Sequence, residues 1–134
     1  MPTITGVHHL ALTVTDVERS AQWYSRLLDM TQVFGGDEET VLWRVLHQAD
    51  SNLLLALRQY MDRAGPGDRF DELRTGLDHL ALGVPTRDEL VAWQRRVEDL
   101  GIPHTPVTET PQGWVLVVRD PDNIQIEFFS NPGT

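Results

Sequence analysis

Two closely related stretches decide the fold of this chain: GVHHLALTV at residues 6–14 and GLDHLALGV at residues 76–84. When the two stretches are aligned residue by residue, they share the glycine, the histidine before the strand (His9 and His79), the Leu-Ala-Leu run and the final valine. The match continues downstream, where Trp23 corresponds to Trp93 and Arg26 to Arg96 at the same offset. An internal repeat of this kind predicts two modules that share one structural plan.

A helix is expected directly after each of these strands. Both strands are followed by the Thr-x-x-Glu pattern of a helix-starting capping box, Thr15 with Glu18 and Thr86 with Glu89. The sequence therefore predicts helices over about residues 16–28 and 87–100, and Gly101 is a suitable residue to end the second one.

Three extended runs follow each predicted helix, which completes a β-α-β-β-β module. The runs are MTQVFGG, TVLWRVLHQ and NLLLALRQY in the first half, and IPHTPVTE, GWVLVVRD and IQIEFF in the second, with a DPDN turn before the last. We therefore predict an α+β fold in one domain over residues 1–134. Module 1 spans residues 4–60, a polar linker spans 61–75, and module 2 spans 76–130.

Composition excludes several classes of function. The chain has no cysteine, and all 11 basic residues are arginine, so disulfides, thiolate nucleophiles and lysine Schiff bases are excluded. A net charge of −9 is unfavourable for binding nucleic acid. Because no run approaches the roughly 20 apolar residues of a membrane span and no signal peptide begins the chain, we expect a cytoplasmic protein without a membrane partner.

Side chains alternate between the two faces of a strand, and this pattern places three possible metal ligands on the faces that point away from the helices. His9 and His79 share a face with small residues, while the neighbouring leucines point to the helix side. In the last strand, Glu127 lies opposite Ile126 and Phe128 in the same way. If the two sheets pair around a pseudo-twofold axis, His9, His79 and Glu127 converge as an open site for a divalent metal. The structural alternative is an ion pair between Glu127 and an inward arginine.

These features resemble the vicinal oxygen chelate superfamily, which includes glyoxalases, extradiol dioxygenases, fosfomycin-resistance transferases and bleomycin-binding proteins. The resemblance rests on the HLALTV and HLALGV strands and the closing RDPDNIQIEFF, and it covers roughly residues 4–130. It implies a cupped, mostly antiparallel sheet around a metal cavity. It also implies that His9, His79 and Glu127 bind a divalent ion such as Fe²⁺, Mn²⁺, Zn²⁺ or Ni²⁺.

The chain departs from the four-ligand pattern of the glyoxalases. At the position where these relatives carry another ligand in module 1, two alignments place either Ala56 or Leu57, and neither side chain binds metal. A site with three ligands is more similar to those of the dioxygenases and fosfomycin transferases than to that of glyoxalase I.

Other side chains are candidates for substrate binding and catalysis. The candidates for the aromatic wall of a substrate pocket are Trp43, Trp114 and Phe129. The candidates for binding a substrate anion are Arg58 and Arg44. Glu127 and His104 are the candidate catalytic residues, since imidazole titrates near neutral pH and suits a general base.

Two functions remain open from the sequence. The first is a metal-dependent lyase, dioxygenase or transferase that acts on a small oxygen-rich substrate. The second is a metal-free protein that sequesters an antibiotic or another small molecule in the same cavity, similar to the bleomycin-resistance proteins. We expect a homodimer, and the site is completed either within one chain or by a second copy.

Overall fold

The computed structural model describes residues 1–62 and 67–133, which form two compact units, Met1–Asp68 and Arg69–Thr134. Each unit contains one helix and one four-stranded sheet in the order strand, helix, then three strands. The predicted α+β fold of two tandem βαβββ modules is therefore confirmed.

The first unit contains a mixed four-stranded sheet with its helix packed on one face. Its elements are β1 (Leu10–Thr13), α1 (Val17–Leu28), β2 (Thr31–Asp37), β3 (Val41–Gln48) and β4 (Leu53–Tyr60). The strand order is β1-β4-β3-β2, in which β1 and β4 are parallel and the other neighbours are antiparallel.

The second unit repeats this arrangement. Its elements are β5 (Leu80–Gly83), α2 (Arg87–Asp99), β6 (Thr108–Thr110), β7 (Gly113–Arg119) and β8 (Gln125–Ser130), and the strand order is β5-β8-β7-β6. The predicted extended run IPHTPVTE forms a strand only at its end, because Pro103 and Pro106 cannot donate hydrogen bonds to a ladder. Between the two prolines, His104 makes an isolated bridge to Val118.

The start of α2 agrees with the sequence prediction, and the start of α1 differs from it by one residue. Thr86 caps α2 by accepting a hydrogen bond from the backbone N–H of Glu89 at 3.2 Å. In α1 the capping residue is Asp16, whose carboxylate accepts from the backbone N–H of Arg19 at 3.0 Å. Thr15 instead accepts a hydrogen bond from the Arg19 side chain. Within residues 1–62 and 67–133, neither helix is long and apolar enough to span a membrane.

The core of each unit lies between its helix and the adjacent face of its sheet. In unit 1, Leu55 and Leu57 are fully buried together with Tyr24 and Leu27 of α1. In unit 2 the corresponding core comprises Leu90, Val97, Leu116, Ile126 and Phe128, and the ring of Trp93 stacks on Phe128 with centroids 4.4 Å apart. Since burying one such side chain contributes about 2 kcal/mol, these faces carry most of the apolar stabilisation of the fold.

The strand registers decide which residue of module 1 corresponds to Glu127. In unit 2, Ala81 pairs with Glu127 across the parallel β5–β8 ladder. The same ladder in unit 1 pairs Ala11, the counterpart of Ala81, with Ala56. Ala56 therefore occupies the position of the missing fourth ligand, while Leu57 is fully buried on the helix side.

Candidate functional site

His79 and Glu127 come together on the face of the second sheet that points away from α2. Their closest polar atoms, Nε2 of His79 and Oε2 of Glu127, are 3.6 Å apart. His79 immediately precedes β5, and the small Ala81 beside Glu127 in the ladder leaves space for both side chains. The Glu127 side chain is only 15% exposed, whereas that of His79 is 39% exposed, so the pair lies at the edge of a partly covered surface.

Each member of this pair is held by a neighbouring side chain. Nδ1 of His79 lies 2.6 Å from Oδ1 of Asp78, and we assign the ring proton to Nδ1 because it faces a carboxylate oxygen. The amide of Gln125 donates a hydrogen bond of 2.6 Å to Oε1 of Glu127. These contacts engage Nδ1 of His79 and Oε1 of Glu127, and the other polar atom of each side chain, Nε2 and Oε2, is the one that faces its partner at 3.6 Å.

The chemistry of these two atoms fits a divalent metal ion. Imidazole nitrogen and carboxylate oxygen bind such ions at about 2.0–2.2 Å, so a separation of 3.6 Å is short enough for one ion to reach both. A carboxylate behind a ligating histidine is a common arrangement, because it fixes the tautomer and strengthens the ligand. The pair comprises two of the three ligands that the sequence predicts.

The third predicted ligand, His9, lies in the other unit, at the corresponding position directly before β1. Its Nδ1 is 2.9 Å from Nδ1 of His8, so His8 occupies the place that Asp78 has in module 2. Within the described residues, no group of three or more His, Asp or Glu side chains is close enough to hold a metal. The structure thus brings together His79 and Glu127, and the complete triad stays a prediction.

Among the residues that the structure describes, Glu127 does not form the alternative ion pair with an inward arginine. Arg119 points to the same face as Glu127, but its guanidinium binds both carboxylate oxygens of Glu72, at 2.7 and 3.2 Å. The hydrogen bonds from Arg119 lower the pKa of Glu72 to about 2. Among the described residues no arginine lies within ion-pair distance of Glu127, which keeps its contacts with Gln125 and His79.

Phe129 and Trp114 lie on opposite faces of the second sheet. Phe129 lines an open cleft of about 500 Å³, together with Ala81 and Gly83 of β5, on the same face as Glu127. The register of β7 and β8 puts Trp114 on the helix side, where the guanidinium of Arg87 lies 4.7 Å from the ring centroid. The sequence alone does not show which face of the strand Trp114 occupies. The register places Trp114 on the face opposite Phe129, so we do not retain it as a pocket residue.

His104 lies on the helix side of the second sheet, because its bridge partner Val118 is buried in the core on that side. Its Nε2 is 3.6 Å from a carboxylate oxygen of Glu98 in α2, and its Nδ1 is 2.6 Å from the backbone oxygen of Thr105. It borders a separate cleft of about 460 Å³ that Arg69 and Asn123 also line. We therefore do not retain His104 as the general base of the candidate site.

In unit 1, Trp43 and Arg58 are neighbours on the face that points away from α1. They are direct partners in the β3–β4 ladder. Arg44 has the opposite orientation and binds the carboxylates of Glu18 and Asp37. The hydrogen bond to Asp37 is the main cause of a pKa for Arg44 above its ordinary value. Of the two candidate arginines, Arg44 is paired with carboxylates, and Arg58 has no such pair among the described residues.

Sequence reasoning missed Asp78, the supporting role of Gln125 and the Glu72–Arg119 pair. The Asp-His dipeptide at 78–79 is the signal that could have identified Asp78, since a carboxylate next to a candidate ligand can orient its imidazole. Glu72 lies in the segment assigned to the linker. That segment contacts the β7–β8 turn through a hydrogen bond from the Phe70 N–H to the Asp122 carbonyl oxygen at 2.8 Å. Such a contact leaves no local pattern in the sequence.

Comparison with known proteins identifies the relatives of this fold. Residues 6–128 match the family model described as the Glyoxalase/Bleomycin resistance protein/Dioxygenase superfamily. A solved glyoxylase/bleomycin resistance protein/dioxygenase domain from Frankia sp. EAN1pec is 35% identical, with a TM-score of 0.86, and the alignment covers 96% of this chain and 99% of that one. None of the curated proteins compared matches this chain.

Fosfomycin resistance proteins share the fold at lower identity. FosX from Listeria monocytogenes is 17% identical, with a TM-score of 0.74 over 98% of this chain and 97% of that one. A variant of that FosX, solved with Mn(II) and 1S,2S-dihydroxypropylphosphonic acid, is 18% identical, with a TM-score of 0.69 over 95% and 90% of the two chains.

Proposed function

The chain belongs to the Glyoxalase/Bleomycin resistance protein/Dioxygenase superfamily, and we propose that it is a divalent-metal-dependent enzyme acting on a small substrate with two neighbouring oxygen atoms. One observation carries the proposal. Nε2 of His79 and Oε2 of Glu127 converge at 3.6 Å, while Asp78 and Gln125 occupy the other polar atoms of the same two side chains.

In this proposal His79 and Glu127 hold the metal together with His9, which comes from the same chain or from a second copy in a homodimer. When bound, the ion supplies Lewis-acid stabilisation of negative charge on substrate oxygen. Mn²⁺ and Fe²⁺ suit a site of two imidazoles and one carboxylate, and Zn²⁺ and Ni²⁺ also bind such ligands. The Mn(II) in the related FosX structure supports a divalent ion in this fold.

The remaining residues orient the ligands and shape the cleft. Asp78 keeps the proton on Nδ1 of His79, so that Nε2 carries the free lone pair. Gln125 fixes the carboxylate plane of Glu127 by its hydrogen bond to Oε1. Phe129, beside Gly83, provides an apolar wall that reduces the access of water. Fixed ligands of this kind lose little entropy when metal and substrate bind.

Ala56 narrows the reaction class. A methyl group at the position that corresponds to Glu127 cannot ligate metal and cannot serve as the carboxylate base that a proton-shuttling isomerase needs. We therefore propose dioxygenase-like or transferase-like chemistry in preference to glyoxalase turnover. Catechols and 2-hydroxycarbonyl compounds are the substrate classes to test first, because their paired oxygens can both reach one ion.

Metal stoichiometry tests the proposal directly. Protein purified without chelators and then saturated with Mn²⁺ is expected to retain about one ion per chain after desalting. His79→Ala and Glu127→Ala should each lose most of this metal, whereas the control His47→Ala, which removes a histidine that contacts Asn52, should keep it. Equal metal content in all four proteins would refute the proposed site. Absence of metal from the wild type, combined with tight binding of an intact drug, would favour a sequestering function.

A further inference from the structure

Arg58 presents a cation on the face of the first sheet that points away from α1. Its neighbours in β4 face the other way, since Leu57 is fully buried in the core and the amide of Gln59 accepts a hydrogen bond from the backbone N–H of Val17 at the start of α1. On its own face Arg58 is flanked in the ladders by Trp43 of β3 and Thr13 of β1. The side chain is half-buried.

The guanidinium of Arg58 is not neutralised by a carboxylate. Its Nε donates a hydrogen bond of 3.0 Å to the hydroxyl of Tyr60, and its carbon lies 5.6 Å from the centroid of that ring. In the part of the chain that the structure describes, no Asp or Glu pairs with Arg58, although the protein has 20 acidic residues. By contrast, Arg44 and Arg119 are each held by carboxylates. The two terminal nitrogens of Arg58 thus remain available as a planar pair of donors.

Trp43, the ladder partner of Arg58 in β3, presents an anchored aromatic ring on the same face of the sheet. Its indole N–H donates to a carboxylate oxygen of Glu38 at 3.1 Å, which anchors the polar edge of the ring. The ring lies so close to Gly36, its partner in β2, that a Cβ atom there would be 2.6 Å from Nε1 of Trp43. Only glycine leaves the ring in this position, over β2, on the same face of the sheet as Arg58.

We propose that Arg58 and Trp43 form a binding site in the first unit for a planar monocarboxylate, one that carries its carboxylate group on an aromatic or unsaturated skeleton. The terminal nitrogens of Arg58 bind both carboxylate oxygens, and Trp43 packs against the planar skeleton. A single guanidinium balances one negative charge. A phosphonate dianion would keep an excess charge in a protein that is already strongly acidic.

Binding of a simple probe to the metal-free protein tests this inference. Isothermal titration with benzoate should show weak, saturable binding to the wild type, and benzamide, which has the same shape without the charge, should bind at least tenfold more weakly. Arg58→Gln should weaken benzoate binding at least tenfold. Arg58→Lys keeps the charge but loses the planar arrangement of donors, so its affinity for benzoate should lie between those of the wild type and Arg58→Gln. Arg87→Gln is the matched control, because Arg87 also lies over a tryptophan but on the helix side.

Three outcomes would overturn the inference: benzoate binding that is equal in Arg58→Gln and wild type, equal affinity for benzamide and benzoate, or tighter binding of methylphosphonate than of benzoate. Thermal unfolding of each variant identifies any loss of fold, and Arg58→Lys serves as the second variant if Arg58→Gln unfolds. The inference concerns unit 1 alone and does not depend on the proposed metal-dependent function. The two fail separately, since Arg58-dependent benzoate binding in a protein that binds no metal would refute the enzyme and retain the carboxylate site.

Discussion

Replacement of Asp78 by Asn should weaken metal binding through His79 without removing any proposed ligand. The carboxylate of Asp78 lies 2.6 Å from Nδ1 of His79, and Asn keeps the size of the side chain while losing its charge. Loss of a hydrogen-bonded partner behind a ligand typically costs 10–100-fold in metal affinity. The Asp78 and His79 side chains are 61% and 39% exposed, so solvent screens their interaction and the expected loss is about tenfold, or about 1.4 kcal/mol.

The assay is a Mn²⁺ titration followed by electron paramagnetic resonance, with the dissociation constants of wild type, Asp78→Asn and Asp50→Asn compared. Asp50 is an exposed aspartate in the β3–β4 turn, so its replacement makes the same change in net charge far along the chain from His79. Nitrogen chemical shifts of His79 should also show more of the Nε2–H tautomer in Asp78→Asn alone. Equal affinities for Mn²⁺ in all three proteins would refute the positioning role of Asp78.

Three further predictions test the register, the ion pair and the core. Ala56→Glu should tighten Mn²⁺ binding by about tenfold, because Ala56 has the ladder position of Glu127. The shift should be absent in Gln48→Glu at the end of β3, and an unchanged affinity in Ala56→Glu would contradict the assignment. Glu72→Gln should destabilise the protein towards urea above about pH 5. The lowered pKa of Glu72 means that its stabilising ion pair with Arg119 is complete above the ordinary carboxyl pKa of 4.5 and is lost as the pH falls towards 2. A difference from wild type that is constant down to pH 2 would show that the ionisation of Glu72 is not involved. Leu57→Ala should lower the free energy of unfolding by about 3 kcal/mol, since Leu57 is fully buried beneath α1. Ala substitution of the exposed Leu73 should change it by less than about 0.5 kcal/mol, and a similar small effect at Leu57 would contradict its place in the core.

The fold could be predicted from the sequence because its repeat and its alternation are local patterns. The two HLAL strands and the capping residues each depend on a few neighbouring residues, and the turn at Asp120–Asn123 is also read locally. The carboxylate of Asp120 there accepts hydrogen bonds from the N–H groups of Asp122 and Ile124. The one-residue difference at the first helix arose because Asp16 competes with Thr15 as the cap.

The site was less predictable because it depends on register and on contacts between distant residues. Whether Ala56 or Leu57 corresponds to Glu127 depends on one residue of register in the β1–β4 ladder. The orientation of Trp114 likewise depends on how β7 pairs with β8. The bond from Arg119 to Glu72 joins residues far apart in the sequence, and no periodicity indicates it.

The central claim is that His79 and Glu127 bind a divalent metal, and anomalous diffraction from Mn²⁺-soaked crystals tests it most directly. We expect one strong peak per chain between Nε2 of His79 and a carboxylate oxygen of Glu127, within coordination distance of both atoms, with Nε2 or Nδ1 of His9 as a further ligand. In the same crystals, Nδ1 of His79 should keep its contact with Asp78. Ordered His79 and Glu127 side chains with no anomalous peak between them, or a peak bound only by other residues, would contradict the claim.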